Sequence, residues 1–214
     1  MKKLLYCLLF TASTISFVSF ADNWANWRGP SYDGSAVSSK KTPVKFDSKN
    51  GIKWSLLLPG PSAATPIVWD DRVFVTSISV TDKKAGKGKL LAICVDRSSG
   101  KILWERDAGS GYRPGRGDGF DYQLDSRTTY ASPSPVTDGS LVVFFFGNGD
   151  LVTYDMGGKE IWRRNIQKDF GDFCFQWTFA ASPTLYKGKL YLPILQRDEP
   201  VHGRGKAKSP SFLL

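Results

Sequence analysis

The sequence predicts an all-β protein made of repeated four-stranded antiparallel units, and three observations predict it. The 214 residues include 21 Gly and 12 Pro but no long apolar stripe of helical period. Short apolar runs alternate with polar turns along most of the chain, which is typical of strands joined in hairpins. A motif that ends one strand and begins the next occurs twice, and such repetition indicates an array of similar units.

The first copy of the repeated motif runs from Cys94 to Trp104. Asp96 ends the first strand, Gly100 and Lys101 close the turn, and the tryptophan lies on the second strand. The aspartate can accept hydrogen bonds from the backbone two residues on, and the glycine can take a positive φ. We expect the tryptophan to dock on a neighbouring unit through its large ring. Cys94 and Cys174 could form a disulfide, but we expect two buried free thiols, because an exported chain that relied on disulfides would carry more cysteines.

The second copy is one residue shorter and carries the same residue types. Asp155, Gly158, Lys159 and Trp162 stand in the equivalent places. We interpret both copies as structural motifs that dock one unit on the next. Neither is assigned a catalytic, cofactor-binding or metal-binding role.

Three further segments share a second pattern, which is a small residue and a proline, a short strand, a polar turn and another strand. They begin at Thr65-Pro66, Ser132-Pro133 and Ser182-Pro183. The first and third align without a gap, whereas the second needs one inserted residue. Proline suits the first residue of a strand, where no ladder N–H is required.

Together the two patterns predict two complete units and part of a third. A four-stranded unit of about 50 residues, repeated, is the pattern of β-propeller blades. The strands are expected at about 65–69, 72–79, 89–96 and 101–107 in the first unit, at 132–137, 141–147, 150–155 and 159–165 in the second, and at 182–186, 189–195 and 211–214 in the third.

Residues 1–21 predict a secretory signal peptide. Two lysines precede an apolar run from Leu4 to Phe20, and Ala21 is a small residue suited to cleavage before Asp22. A retained membrane anchor is the alternative, but an apolar run of about seventeen residues is short for a span. We therefore expect an exported protein, periplasmic or secreted, with no transmembrane segment after cleavage.

Residues 22–50 predict an extended lead-in that pins Trp24 and Trp27 to a surface. Residues 51–214 predict the propeller domain. Within it, the run 52–58 predicts a strand that would be the last strand of a unit whose other strands lie elsewhere in the chain.

Asp96, Gly100, Lys101 and Trp104 resemble the tryptophan-docking motif of quinoprotein-type β-propellers. The mature chain resembles the start of exported bacterial proteins known as PQQ-binding-like β-propeller repeat proteins, which are similar to the propeller lipoprotein of outer-membrane assembly. The resemblance implies a ring of seven or eight blades. Residues 51–214 would supply about two and a half of them, so we expect an N-terminal fragment truncated at its C-terminus.

Quinoprotein dehydrogenases of this fold hold pyrroloquinoline quinone (PQQ) against two adjacent cysteines, with calcium and an aspartate base. The mature cysteines, Cys94 and Cys174, are far apart in the sequence. Asp118, Asp121 and Asp125 lack the spacing and the closing Glu of a standard calcium loop. We therefore expect neither PQQ nor calcium to bind.

The segment 108–129 joins the first unit to the second and would lie on one rim of the propeller. Long loops on a rigid scaffold often carry recognition residues. The aromatic segment before the third unit either packs between blades or stacks on sugar or peptide. The candidate ligand contacts in these two segments are Arg113, Arg116, Arg127, Tyr130 and Trp177.

The net charge of +9 comes from scattered Lys and Arg residues, so we expect a basic surface and no nucleic-acid site. His202 is the only histidine, and no catalytic constellation surrounds it. We expect a non-catalytic β-propeller scaffold that binds protein or peptide partners in the cell envelope. A periplasmic PQQ-dependent oxidoreductase and a carbohydrate-binding propeller are the alternatives.

Overall fold

The structure is a computed structural model in which residues 23–36, 43–47, 49–82, 85, 87–112, 129–173, 179–196 and 210–214 are described. These residues form antiparallel sheets and one five-residue helix. The expected all-β architecture of four-stranded units is thereby confirmed. The expected signal peptide at 1–21 and the loop carboxylates Asp118, Asp121 and Asp125 lie outside the described residues, as do Cys174 and His202.

Blade 1 and blade 2 are each a four-stranded antiparallel sheet whose strands follow chain order. Blade 1 comprises β1 (Ile67–Trp69), β2 (Arg72–Asp82), β3 (Lys87–Asp96) and β4 (Ile102–Ser110). Blade 2 comprises β5 (Val136–Thr137), β6 (Leu141–Phe145), β7 (Asp150–Asp155) and β8 (Glu160–Asn165).

The third unit is a smaller arrangement of paired strands. Its strands are β9 (Thr184–Tyr186), β10 (Lys189–Tyr191), β11 (Pro193–Ile194) and β12 (Phe212–Leu213). Strand β10 pairs with β9, and β11 pairs with β12. The predicted strand 189–195 is interrupted at Leu192, which exchanges two backbone hydrogen bonds of 2.9 and 3.0 Å with Leu214.

The alternation of strand direction separates the two ends of the blades. We call the end that carries the β1–β2 and β3–β4 turns, and their counterparts in the other units, the turn end. The opposite end, called the loop end, carries the β2–β3 turn and the connections between blades. Helix α1 (Ile166–Phe170) follows β8 at the loop end and was not predicted from the sequence. Asn165 caps it, because its side-chain oxygen accepts from the N–H of Lys168 at 3.1 Å.

The core between blades 1 and 2 is aromatic. Phe74, Trp104, Phe144 and Tyr154 are buried, and their ring centroids lie 5.6–6.4 Å apart in tilted or edge-on pairs. Such pairs each contribute about 0.5–1.5 kcal/mol beyond the burial of their area. Successive side chains of β6 point to opposite faces, so Phe145 instead packs towards the third unit. Strands β6 and β7 of blade 2 are therefore buried on both faces, whereas β8 is exposed.

The small-Pro dipeptide of blade 2 is Ser134-Pro135, and the predicted alignment through Ser132-Pro133 is wrong. Thr65-Pro66 and Ser182-Pro183 each stand immediately before the residue that starts their hairpin register, and Ser134-Pro135 does the same. With this correction all three hairpins align without a gap. Residues 132–135, predicted as strand, precede β5, since prolines at 133 and 135 cannot donate to a ladder.

Two predictions near the start of the described chain are wrong. No strand is assigned at 52–58, because the backbone of this segment makes no ladder with another described strand. Its side chains nevertheless pack, since Trp54 and Leu56 cover the outer face of blade 1. Of the two lead-in tryptophans, Trp24 is half-buried, whereas Trp27 is 46% exposed and is not pinned to the surface.

Candidate functional site

The docking motif joins blade 1 to blade 2 through one tryptophan. Trp104 donates from Nε1 to the carbonyl of Met156 at 3.1 Å. Its ring lies against Gly158, where a Cβ atom would be 2.7 Å from the indole and φ is +83°. Arg106, on the same strand, donates to the Gly158 carbonyl at 2.7 Å. The turn is therefore a socket that only glycine leaves open.

A second socket of the same kind lies on blade 1. Trp54 donates from Nε1 to the carbonyl of Arg97 at 2.9 Å. Its ring covers Gly100, which has a φ of +74° and would place a Cβ 2.6 Å from the indole. The two sockets are built alike.

The aspartates of the two turns act differently. Asp96 accepts from the hydroxyls and the backbone N–H groups of Ser98 and Ser99 at 2.6–3.1 Å. These hydrogen bonds, led by that of the Ser98 hydroxyl, lower the pKa of Asp96 to about 2. Asp155 accepts from the N–H of Lys159, four residues on, at 2.9 Å. The shorter turn thus moves the hydrogen bond away from the position expected from the sequence.

The remaining motif residues face solvent. The side chains of Lys101 and Lys159 are exposed, and their carbonyls close the turns by accepting from Asp96 and Asp155. Trp162 is 37% exposed, against 7% for Trp104, so its ring is not covered as its counterpart is.

A series of hydrogen bonds to serine hydroxyls, called the hydroxyl ladder, links the residues just before the first strands of successive units. Thr65 donates its backbone N–H to Oγ of Ser134 at 2.9 Å. Ser134 in turn donates its N–H to Oγ of Ser182, also at 2.9 Å. All three occupy the same place before a proline, so an identical contact repeats from unit to unit.

The lead-in crosses all three units at equivalent positions of the turn end. Trp24 exchanges two backbone hydrogen bonds of 2.8 and 2.9 Å with Val68 of β1. The carbonyl of residue 25 accepts from the N–H of Thr137 of β5 at 3.0 Å. Tyr32 donates its hydroxyl to the carbonyl of Leu185 of β9 at 3.1 Å. Residues 24–32 therefore lie across the first strands of the three units, and we call this segment the strap.

Exposed aromatic rings and cations lie on the strap and on the β9–β10 hairpin, which the Tyr32–Leu185 hydrogen bond joins. Trp27, Tyr32 and Tyr186 are 46, 45 and 53% exposed. The guanidinium of Arg28 lies 4.7 Å from the centroid of the Trp27 ring, and the ammonium of Lys187 lies 5.3 Å from that of Tyr186. We call these five residues the aromatic patch. The sequence analysis missed it, although the adjacent Trp and Arg in the lead-in were a usable signal.

Tyr130, the one rim contact expected from the sequence that is described, lies at the loop end. Tyr130 is half-buried and packs against the core shared by blades 1 and 2, with its ring beside Gly111. Its backbone bonds to Tyr112 and Gly147 fix the loop end. The other four candidates, Arg113, Arg116, Arg127 and Trp177, lie outside the described residues.

The buried ionisable groups are held neutral. Burial raises the pKa of the Cys94 thiol to about 12 and that of the Tyr154 hydroxyl to about 12. Within the described ranges, no three His, Cys, Asp or Glu side chains gather closely enough to hold a metal ion.

Comparison with known proteins identifies the family. Residues 28–192 match the family model described as outer membrane protein assembly factor BamB. No curated protein sequence is significantly similar to this chain. In the part of the chain that the structure describes, no helix is long and apolar enough to cross a membrane.

Three solved structures align with parts of the chain. Quinohemoprotein alcohol dehydrogenase from Comamonas testosteroni aligns at 19% identity with a TM-score of 0.53, over 82% of this chain and 23% of that one. A europium-containing methanol dehydrogenase aligns at 14% identity and a TM-score of 0.48, over 81% and 27%. BamB from Moraxella catarrhalis aligns at 19% identity and a TM-score of 0.30, over 60% and 40%.

The chain spans about a quarter of the length of the alcohol dehydrogenase. At 19% identity this likeness shows the fold alone, and it agrees with the two four-stranded blades and the partial third unit. Because the family model covers most of the residues in the described sheets, the chain belongs to the family of the outer membrane protein assembly factor BamB and forms part of a quinoprotein-type β-propeller.

Proposed function

We propose that the protein is an exported, non-catalytic scaffold that binds a protein or peptide partner in the cell envelope. The observation that carries the proposal is the match of residues 28–192 to a family described as an outer-membrane assembly factor. The sequence pattern of a signal peptide at 1–21 supports export to the periplasm or beyond.

The described structure is consistent with a rigid binding platform. Strands β6 and β7 are buried on both faces, and blades 1 and 2 are joined by the Trp104 socket and the hydroxyl ladder. Side chains on such a scaffold lose little conformational freedom when a partner binds, which favours recognition by a preformed surface.

The experiment uses the full-length protein in the bacterium that produces it. A photo-cross-linking amino acid replaces Tyr186 at the turn end, Lys168 at the loop end or Leu103 on the outer strand, one at a time. If the protein is a scaffold, we expect one of these positions to cross-link to a discrete envelope protein and the other two not to. The absence of any specific cross-link at all three positions would contradict the proposal.

A PQQ-dependent oxidoreductase is the second candidate, because the aligned alcohol dehydrogenase is a quinohemoprotein. We propose instead that the protein works without this cofactor. Incubation of the full-length protein with PQQ and calcium should produce no dye-linked dehydrogenase activity and no change in melting temperature. Activity that depends on both additions would replace the scaffold proposal with the enzymatic one.

A further inference from the structure

We propose that the aromatic patch at the turn end binds an acidic peptide segment that also carries aromatic or aliphatic side chains. This inference rests on the proposed scaffold function and names the chemistry of the partner. The patch comprises Trp27, Arg28, Tyr32, Tyr186 and Lys187, and it belongs to neither the tryptophan sockets nor the loop-end rim.

The aromatic rings of the patch are presented rather than used for packing. Trp104 and Tyr154 in the core are 7 and 1% exposed, whereas Trp27, Tyr32 and Tyr186 expose 45–53% of their surface. Exposed tyrosine and tryptophan rings supply large contact area at low cost in conformational entropy, and they are enriched in protein-binding surfaces.

The patch is held in place by the backbone beneath it. Asn26 exposes only 5% of its surface. Its side chain accepts from the N–H of Arg28 at 2.9 Å and donates to the carbonyl of Gly29 at 2.8 Å. The hydroxyl of Tyr32 reaches across to the carbonyl of Leu185, 153 residues away in sequence. These contacts fix the strap against β9 before any partner arrives.

Two patch residues adopt a backbone conformation that is costly for them. Tyr32 has a φ of +58° and Lys187 a φ of +49°, and both lie in the left-handed region that favours glycine. Lys187 stands at the same position of its hairpin turn as Asp70 and Gly139, whose φ angles are +50° and +88°, so its conformation belongs to the repeated turn. Tyr32 adopts its positive φ where its hydroxyl reaches the carbonyl of Leu185.

The charge of the patch selects the partner. Arg28, Lys187 and Lys189 are exposed cations, and Lys189 lies directly opposite Tyr186 in the β9–β10 ladder. Asp33 is the carboxylate beside Arg28, and it already accepts from the hydroxyl and the N–H of Ser35 at 2.6 and 2.8 Å. Asp138, which follows Thr137 where the strap bonds β5, likewise already accepts from Ser140 and Leu141 at 2.7–3.0 Å. The described cations of the patch are therefore free to attract carboxylates on the partner, while the rings accept its apolar side chains.

The test measures binding of full-length protein to a fluorescein-labelled random copolymer of glutamate and tyrosine. We expect saturable binding that weakens with salt, because exposed charges are screened. A lysine–tyrosine copolymer should bind at least about tenfold more weakly, since the cations of the patch repel it. Equal binding of the two copolymers, or no binding of the acidic one, would overturn the inference.

The variants Trp27→Ala and Lys187→Glu each remove one element of the patch. Each should weaken binding of the acidic copolymer by at least about fivefold. Leu103→Ala and Lys101→Glu are matched controls, because both residues are exposed on or beside β4, away from the patch, and these changes should leave binding within about twofold. If all four variants bind alike, the site lies elsewhere.

Two further outcomes separate this inference from its basis. Maltohexaose that displaces the copolymer would indicate a carbohydrate surface and overturn the peptide assignment. In the cross-linking experiment, a partner captured from Lys168 or Leu103 but never from Tyr186 would leave the scaffold function standing and refute the patch. Thermal melts of each variant exclude unfolding as a cause, since every substituted side chain is exposed.

Discussion

Gly158 shows how a single residue decides whether two blades can join. Its φ of +83° and the indole of Trp104, 2.7 Å from where a Cβ would lie, exclude any side chain. Gly158→Ala should therefore lower the free energy of unfolding by about 3 kcal/mol, from backbone strain of roughly 1–2 kcal/mol plus overpacking. Urea denaturation measures the change.

Gly188→Ala provides the control for Gly158→Ala. Gly188 has a φ of +71°, but nothing lies within 4 Å of its ideal Cβ position. The control should therefore cost only the backbone term, about 1–2 kcal/mol. Equal losses in both variants would show that the Trp104 ring moves aside and that the socket is not tight.

The thiol of Cys94 makes stability depend on alkaline pH. Burial raises its pKa from the ordinary thiol value of 9.0 to about 12, so the folded state keeps a proton that the unfolded chain releases. The stability that the protonated thiol gives the folded state is fully present below pH 9 and is lost as the pH rises towards 12. Between pH 8.5 and 10.5 the free energy of unfolding should fall more steeply with pH in the unaltered protein than in Cys94→Ala. The difference in slope should correspond to about one proton released on unfolding.

A thiol reagent checks the same prediction independently. At pH 8 the folded protein should leave Cys94 unmodified, because the residue is fully buried and its thiol is protonated. Mass spectrometry of the peptide around Cys94 identifies the modified site. Rapid labelling without denaturant, or parallel pH slopes for the two proteins, would contradict this account.

Among the structural elements, the hydroxyl ladder identifies which serine of blade 2 matters. Ser134 is buried, and Ser134→Ala would leave the N–H of Thr65 without its acceptor, at a cost of about 1–3 kcal/mol. Ser132 is half-buried and only donates to the Thr129 carbonyl within its own loop, so Ser132→Ala should cost less than Ser134→Ala. Thermal or urea unfolding measures both losses of stability. A larger loss for Ser132→Ala than for Ser134→Ala would support the alignment through Ser132.

The two strand-turn motifs could be predicted from sequence because their chemistry is local. Asp96 and Gly100 form their turn from residues four positions apart, and the glycine has the positive φ that the pattern indicated. The choice between Ser132-Pro133 and Ser134-Pro135 could not be predicted in the same way. Both look alike locally, and only a hydrogen bond to the neighbouring unit distinguishes them.

The aromatic patch was hidden from the sequence for a related reason. Tyr32 and Leu185 meet across nearly the whole chain, and nothing in either segment alone signals the contact. The prediction of a strand at 52–58 was wrong for the converse reason. Its apolar side chains pack on blade 1, but strand formation requires a backbone partner that the described residues do not provide.

Across the whole molecule, stability should be unevenly distributed. Strands β2, β3, β6 and β7 are inner members of four-stranded sheets with buried side chains, whereas β9 and β12 are short and half exposed. Amide hydrogen exchange followed by mass spectrometry should therefore show protection in the first group on the order of tenfold or more above the second. Uniform exchange would indicate that the three units open together.

The contact between successive blades has two different sides. Across this contact the earlier unit gives the N–H of Thr65 and, at the turn end, the indole of Trp104, whereas the later unit gives the hydroxyl of Ser134 and the Gly158 turn. Such an interface is heterologous, so a face fits its successor and never a copy of itself. Gene duplication can therefore lengthen the array without inventing a new surface, whereas two molecules cannot associate symmetrically through these faces.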